Sequence, residues 1–131
     1  MARRRSDEGK VSADIGLAFG HGDCRLLRNN VGMLPDRTGR PVAYGLGSMG
    51  GKPFRGSLDW IGWRTVTITP DMVGRRIAIF AAIDAKDMAK PRPEQITFTD
   101  NVLNAGGLAG FAHNLDEAQA ILFPPHLPPA L

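Results

Sequence analysis

The feature that most constrains the fold is an almost wholly apolar run from Ile77 to Ala85, which contains a single charged residue, Asp84. A run of this length and composition, β-branched in part, is typical of a strand that is covered on both faces. Lys86 follows directly, two residues after Asp84. Alternate residues of a strand share a face, so both side chains should point the same way. We therefore predict a central strand over residues 77–85 that ends in an acid and a lysine.

Charged groups at the end of an apolar strand need a physical reason, because burying a carboxylate or an ammonium is costly. The cost falls if the two groups pair with each other or if the carboxylate holds a metal ion. Perturbed charged pairs are enriched at functional sites and also occur as structural ion pairs. Asp84 and Lys86 alone do not decide between a structural pair and an active site.

A second acid, Asp59, lies in an otherwise apolar segment from Leu58 to Trp63 that has strand composition. An aspartate at a sheet edge or in a turn is the plain alternative. If the two strands are neighbours, Asp59 and Asp84 can converge on one hard divalent cation, which prefers oxygen ligands. Such a cation binds a phosphate oxygen and activates water. Lys86 would then orient that water or stabilise developing negative charge.

Two polar residues, Glu8 and Gln95, stand three positions before apolar residues of predicted helices. That spacing places each on the apolar side of its helix, from which Glu8 could reach a metal directly or through water. Each also has an ordinary explanation. Glu8 suits the first turn of a helix because of the helix dipole, and Gln95 suits a solvated helix start.

The rest of the chain alternates between helical and strand patterns, which predicts an α/β sandwich with a mixed sheet. Glycine and proline punctuate residues 31–56, which predicts a hairpin-like excursion. Gly62 suggests a bend or bulge. Helices are predicted over residues 6–19 and from Pro91 and Pro93 to about Asn104. A third helix is predicted from Asn114 to Leu122, with Glu117 as the capping partner of Asn114, and a helical turn is predicted over residues 70–74. Strands are predicted over residues 24–28, 42–46, 58–63, 66–69 and 108–112.

The length of 131 residues predicts one domain, over residues 1–122, followed by a Pro-rich, frayed tail over 123–131. Sixteen Lys and Arg against thirteen Asp and Glu give a formal charge of +3, which suits a polyanionic partner without requiring one. The single cysteine, Cys24, excludes an internal disulfide. No apolar run approaches the length of a membrane span, so we expect a cytoplasmic protein that does not interact with membranes.

Four ordered motifs resemble the VRR-NUC family, a branch of the PD-(D/E)xK nucleases. They are Arg28-Asn29-Asn30-Val31-Gly32, Gly56-Ser57-Leu58-Asp59-Trp60-Ile61-Gly62, Ile83-Asp84-Ala85-Lys86 and Pro93-Glu94-Gln95. The resemblance extends from about Glu8 to Ala118. It implies a restriction-endonuclease-like core, in which a mixed β-sheet is flanked by helices.

The resemblance also implies a structure-selective DNA endonuclease that depends on Mg²⁺ or Mn²⁺. Small stand-alone members of the family look like homodimers that resolve four-way junctions, so we expect a Holliday-junction resolvase acting on branched DNA in a bacterial or phage-infected cell. Two sites related by a twofold axis suit symmetric nicking. The implied catalytic residues are Asp59, Asp84, Lys86, Glu8 and Gln95; the implied metal ligands are Asp59, Asp84, Glu8 and the backbone carbonyl of Ala85; and the implied DNA contacts are Arg28, Asn29, Lys90 and Arg92.

Three positions depart from the family pattern. Asp84 replaces the glutamate that is common there, the loop over residues 87–91 lacks a glycine, and Gly9 follows Glu8 within the predicted helix. The shorter Asp84 side chain keeps a second interpretation open, a catalytically silent branched-DNA-binding protein that retains the nuclease fold. A purely structural or interaction protein is a third interpretation, which the modest charge slightly favours.

Overall fold

The structure is a computed structural model that describes residues 7–46, 48–49, 52–53, 56 and 58–129. It is a mixed α/β protein with two compact units, Met1–Arg64 and Thr65–Leu131, and each unit is described by itself. Within the described part, no helix is long and apolar enough to cross a membrane. The division of the chain into one domain over residues 1–122 and a tail stays a prediction, and residues 1–6 and 130–131 of those ranges lie outside the described residues.

The first unit contains a helix and a three-stranded antiparallel sheet. Helix α1 covers Asp7–Phe19, as predicted except for residue 6, which lies outside the described residues. The sheet has the order β1-β2-β7, with β2 paired to both neighbours. Its strands are β1 Gly20–His21, β2 Cys24–Arg28 and β7 Trp60–Arg64. The predicted strand over residues 24–28 is confirmed, and the strand predicted over 58–63 begins two residues later and ends at 64.

Helix α1 contacts β1 and β2, and Ser12 and Gly16 meet Trp60 of β7. The Trp60 Nε1 donates to Ser12 Oγ at 3.0 Å, and a Cβ added at Gly16 would lie 2.6 Å from the Trp60 ring. Val11, the apolar residue three positions after Glu8, is 57% exposed and does not form this contact, contrary to the prediction that its side of the helix faces inward. Small residues, which let the indole lie close to the helix backbone, make the contact instead.

Gly62 is not at a bulge, contrary to prediction, because β2 and β7 pair in unbroken register with Leu26 opposite Gly62. A Cβ added at Gly62 would overlap the carbonyl oxygen of Arg25. The glycine thus allows close approach of two strand backbones, which is the second common reason for a glycine inside a strand.

The predicted excursion contains a β-hairpin, formed by antiparallel strands β3 Gly32–Pro35 and β4 Pro41–Tyr44. Strand β4 overlaps the strand predicted over residues 42–46 and ends at Tyr44. In the hairpin loop, Asp36 Oδ1 accepts hydrogen bonds from the hydroxyl and backbone N–H of Thr38 and from the N–H of Arg40. These bonds stabilise the carboxylate and lower the pKa of Asp36. A further pair of short strands, β5 Ser48–Met49 and β6 Lys52–Pro53, follows.

The second unit is a strand-helix-strand-helix succession. Strand β8 Ala81–Ala85 pairs in parallel with β9 Leu108–Ala112, and helix α2, Pro93–Asn104, connects them. Helix α3 covers Leu115–Leu122. The predicted ends of α2 and the strand over residues 108–112 are confirmed. Gly106, at φ 93°, follows α2 in the left-handed conformation that favours glycine after a helix.

The predicted strand over residues 77–85 is correct only in its second half. Strand β8 begins at Ala81, and the sheet that it forms with β9 has two strands, so the second unit by itself does not give β8 a central position. Helices α2 and α3 both contact the β8–β9 pair, which agrees with the apolar composition of β8. The predicted strand over 66–69 is wrong: these residues are irregular, and the predicted turn over 70–74 contains a short 3₁₀ helix, Pro70–Met72.

Helix α3 begins where its capping residues predict, but a different apolar residue from the one expected packs against the sheet. Asn114 Oδ1 accepts from the N–H of Glu117, as predicted for a helix cap. Leu115, which as an apolar residue of this helix is expected to face inward, is 87% exposed. Ile121 packs on the sheet instead, where a Cβ added at Gly110 would lie 2.7 Å from its Cδ1.

Replacing Gly62 with alanine should reduce the free energy of unfolding by about 3 kcal/mol, because the new Cβ forces the β2 and β7 backbones apart. Gly39→Ala is the matched control: its φ of 84° strains alanine, but a Cβ there meets no atom, so the loss should be about 1 kcal/mol. Urea unfolding measures both. Equal losses would show that the strand contact at Gly62 is not tight.

The pH dependence of stability should change in the variant Glu117→Gln. The backbone N–H of His113 donates to Glu117 Oε2 and the His113 ring lies 2.8 Å away, and together they lower the pKa of Glu117 in the folded protein. A lowered pKa adds stability at pH values above about 4.5, and this stability is lost as the pH falls through the folded-state pKa.

The test is urea unfolding of both proteins between pH 6 and pH 3. Wild type should lose more stability on acidification than Glu117→Gln. Parallel curves for the two proteins would contradict this assignment.

Candidate functional site

The predicted site residues belong to two clusters, one in each compact unit. Glu8, Arg28, Asn29 and Asp59 belong to the first unit. Asp84, Lys86, Gln95, Lys90 and Arg92 belong to the second. The structure brings together three of the five predicted catalytic residues, namely Asp84, Lys86 and Gln95, and the convergence of Asp59 with Asp84 stays a prediction.

The centre of the second cluster is the Lys86 ammonium group. Its Nζ lies 2.8 Å from Asp84 Oδ2 and donates to Gln95 Oε1 at 2.9 Å. The Asp84 and Lys86 side chains thus lie on one face, as strand alternation predicts. The N–H of Lys86 donates to the carbonyl of Ala112 at 2.9 Å, which extends the parallel pairing one residue past β8 and fixes the lysine backbone.

Gln95 has two tasks, and both use the same oxygen. Its Oε1 accepts from Lys86 Nζ and from the backbone N–H of Arg92 at 3.0 Å. The second bond satisfies an N–H at the start of α2, which is the reciprocal half of a capping box. The interpretation of Gln95 as a solvated helix start is therefore incomplete, because the same side chain joins the helix end to Lys86.

One oxygen of Asp84 has a particular environment. Oδ2 is shielded from solvent and, within the described residues, receives no hydrogen bond of good geometry, although the Lys86 ammonium lies beside it as an ion pair. A shielded anionic oxygen with incomplete hydrogen bonding retains capacity for a cation. In the structure that cation is the Lys86 ammonium, and binding of Mg²⁺ or Mn²⁺ at Asp84 stays a prediction.

The Phe111 ring is the third neighbour of the Lys86 ammonium, with its centroid 5.9 Å from Nζ. Phe111 lies opposite Asp84 in the pairing of β8 with β9. Sequence reasoning did not identify this residue, because an aromatic residue within an apolar strand carries no signal of its own. The two-residue spacing from Asp84 to Lys86 together with the strand pairing would have placed Phe111 beside them.

A groove of about 310 Å³ opens next to this cluster, between β8, β9 and α2. Phe98 and Phe111 contribute to its apolar wall, and Asp84, Glu94 and Gln95 contribute its polar groups. The carboxylate of Asp84 therefore borders an open space rather than a closed core. Solvent or a ligand can reach the acid from this side.

In the first unit, the Arg28 guanidinium is held by four neighbours. Its Nη1 donates to Ser12 Oγ at 2.8 Å, its Nε donates to Asn30 Oδ1 at 2.9 Å, and it lies 5.6 Å from the centroid of the Trp60 ring. Asp59 Oδ2 is 4.0 Å from Nη1. Arg28 is half-exposed and Asp59 more so, which makes both accessible to a ligand.

Asn29 links three parts of the first unit. It is 7% exposed, its Nδ2 donates to the carbonyl of Leu58 at 2.9 Å, and its Oδ1 accepts from the N–H of Leu46 at 3.0 Å. The N–H of Asn29 also donates to the carbonyl of Asp59 at 2.8 Å. These bonds give Asn29 a structural role in holding the backbone at Asp59, and its predicted DNA contact stays a prediction.

Glu8, Lys90 and Arg92 are exposed. Glu8 lies one helical turn before Ser12, so it belongs to the face of α1 that leads to Arg28. Glu8 also neighbours Val11, the side to which the sequence assigned it, but Val11 is exposed. The roles of Glu8 in metal binding and of Lys90 and Arg92 in DNA binding stay predictions.

Over the part of the chain that the structure describes, no three His, Cys, Asp or Glu side chains gather as a metal-binding group. Comparison with protein-family models, with curated proteins and with solved structures finds no match.

Asn29→Ala should lower the free energy of unfolding by about 1–2 kcal/mol, because it removes two part-buried hydrogen bonds, from the Leu46 N–H and to the Leu58 carbonyl. Asn30→Ala is the matched control: it removes a bond to Arg28 on the surface and should cost less than about 0.5 kcal/mol. Urea unfolding compares the two. A larger loss for Asn30→Ala would overturn the structural role of Asn29.

Proposed function

We propose that the protein is a metal-dependent DNA endonuclease that cuts branched DNA, with Holliday junctions as its preferred substrate. The observation that carries the proposal is the Lys86 ammonium, held by Gln95 beside the half-exposed Asp84 carboxylate at the rim of an open groove. An acid and a lysine so arranged supply a cation ligand and a proton-handling or charge-stabilising group. The resemblance of four motifs to the VRR-NUC family supports the same function.

The residues would divide the work as follows. Asp84, Asp59, Glu8 and the backbone carbonyl of Ala85 would hold Mg²⁺ or Mn²⁺, which polarises the scissile phosphate and activates water. Lys86 orients that water or stabilises charge that develops on the phosphate. Gln95 keeps the ammonium directed at the acid. The proposal requires that Asp59 of the first unit share the cation with Asp84.

The finer fold assignment belongs to the proposal as well. A restriction-endonuclease-like core would unite parallel and antiparallel pairings in one mixed sheet flanked by helices. Both kinds of pairing occur in the chain, the parallel kind between β8 and β9 and the antiparallel kind between β2 and β7. A helix contacts each of these sheets.

Branched DNA as the substrate is supported by the positive charge of the chain and by exposed basic side chains at the matching motifs. Arg28, Lys90 and Arg92 are exposed and would contact phosphates, which would make binding fall steeply with salt. A homodimer would present two active sites, and two cuts related by a twofold axis are what resolution of a four-way junction requires.

The second candidate is a catalytically silent protein that binds branched DNA. It is favoured by the ion pair between Lys86 and Asp84. The Lys86 ammonium lies 2.8 Å from Asp84 Oδ2 and neutralises the carboxylate that would have to bind the cation. The shorter side chain of Asp84 adds to this view. This candidate predicts salt-sensitive junction binding without cleavage in any divalent cation.

The test is incubation of the purified protein with a labelled four-way junction in Mg²⁺ or Mn²⁺. The ion is added at about 10 mM, which exceeds the dissociation constants typical of divalent-cation sites in proteins. Wild type should nick the junction, and Asp59→Ala, Asp84→Ala and Lys86→Ala should each lower the rate by about 100-fold or more. Asp87→Ala, which removes an exposed acid next to the site, is the matched control and should cut at the wild-type rate.

Three results would count against the proposal. Intact junctions, flaps and linear duplexes with both cations would exclude nuclease activity. Junction binding without cleavage would establish the silent protein instead. An active Asp84→Ala variant would mean that another site cuts the DNA.

A further inference from the structure

We propose that Phe111 is a positioning residue for Lys86: its ring holds the ammonium from below while Asp84 and Gln95 hold it from the sides. The contact between Phe111 and Lys86 rests on geometry alone, whereas its effect on catalysis rests on the proposed function. The ring centroid lies 5.9 Å from Lys86 Nζ, within the range of a cation–π interaction.

Strand pairing explains why the ring lies there. Phe111 is the pairing partner of Asp84 in the parallel sheet, and Ala112 binds the N–H of Lys86. Partners in a ladder present their side chains to the same face, so Phe111 lies on the face that carries Asp84 and Lys86. The backbone hydrogen bonds therefore fix the positions from which the two side chains extend, on one face of the sheet.

The neighbours of Phe111 on that face are small. Ala82 and Ala109 precede Asp84 and Phe111 by two residues in the two strands and are paired with each other. Phe111 is consequently the large apolar side chain of this face of the β8–β9 pair. An alanine or a glycine at position 111 would leave the ammonium above an unfilled space.

The interaction gains strength from burial. The Lys86 side chain is only 12% exposed, so its ammonium has exchanged most of its water for protein neighbours. The face of an aromatic ring is negative, and its attraction for a cation increases as water is removed. Asp84, Gln95 and the Phe111 ring together replace the lost hydration.

Three contacts from different directions restrict a side chain that otherwise has many rotamers. Without the ring, the ammonium keeps the Asp84 and Gln95 contacts and can tilt away from the face of the sheet. A misdirected general acid, base or charge stabiliser loses rate while substrate binding is retained. The expected signature is therefore a fall in kcat with little change in KM.

The first measurement is NMR of the Lys86 side chain in the DNA-free protein, in wild type, Phe111→Leu, Phe111→Tyr and Phe123→Leu. A ring below the ammonium shifts the ε-methylene protons of Lys86 upfield and gives contacts between them and the Phe111 ring protons. Phe111→Leu should abolish the shift, and Phe111→Tyr should keep it. Phe123→Leu, which removes an exposed ring of the same unit, is the matched control and should leave it unchanged.

The second measurement is junction cleavage by the same four proteins. Phe111→Leu should lower kcat roughly tenfold with KM nearly constant, and Phe111→Tyr should restore most of the rate. If wild type cuts no DNA, the proposed function fails and NMR alone decides whether Phe111 holds Lys86. An unshifted wild-type Lys86 signal without ring contacts overturns the inference, even where Phe111→Leu fails to fold. A kcat for Phe111→Leu equal to that of wild type overturns its catalytic part.

Discussion

A nearly buried ammonium is expensive to maintain, and the arrangement of the second unit reflects that cost. Lys86 obtains its partners from three elements: Asp84 from the same strand, Gln95 from the first turn of α2, and Phe111 from β9. The parallel strand-helix-strand connection is what brings these elements to one point. A change in the register of β9 or in the start of α2 would remove one of the partners.

The sequence predicted best where local patterns act alone. The ends of α2 follow from proline before it and a glycine pair after it, and the cap at Asn114 was evident from its spacing to Glu117. Prediction from the sequence failed where an apolar segment could be either a strand or an irregular segment. Residues 66–69 and the stretch from Ile77 to Ile79 have strand composition without forming a strand, since pairing depends on partners that are distant in the chain.

The parts of the site that depend on one strand were predictable, and the parts that depend on contacts between separate elements were not. Alternation along β8 placed Asp84 and Lys86 together, because that step needs only the geometry of one strand. The link from Gln95 to Lys86 and the position of Phe111 depend on the pairing and packing of separate elements, so the composition of a single segment does not contain them. For Glu8, the spacing to Val11 indicated the apolar side of the helix, whereas the small residues Ser12 and Gly16 make the contact with Trp60.

The shared oxygen of Gln95 has a thermodynamic consequence. One acceptor serves both the first turn of α2 and the lysine, so unwinding of that turn and release of the ammonium are energetically coupled. A ligand that binds only when Lys86 is in place therefore also stabilises the helix start, by mass action. Conversely, a substitution that stiffens the turn near Arg92 increases the fraction of molecules in which the lysine is ready, although it touches neither the acid nor the ligand.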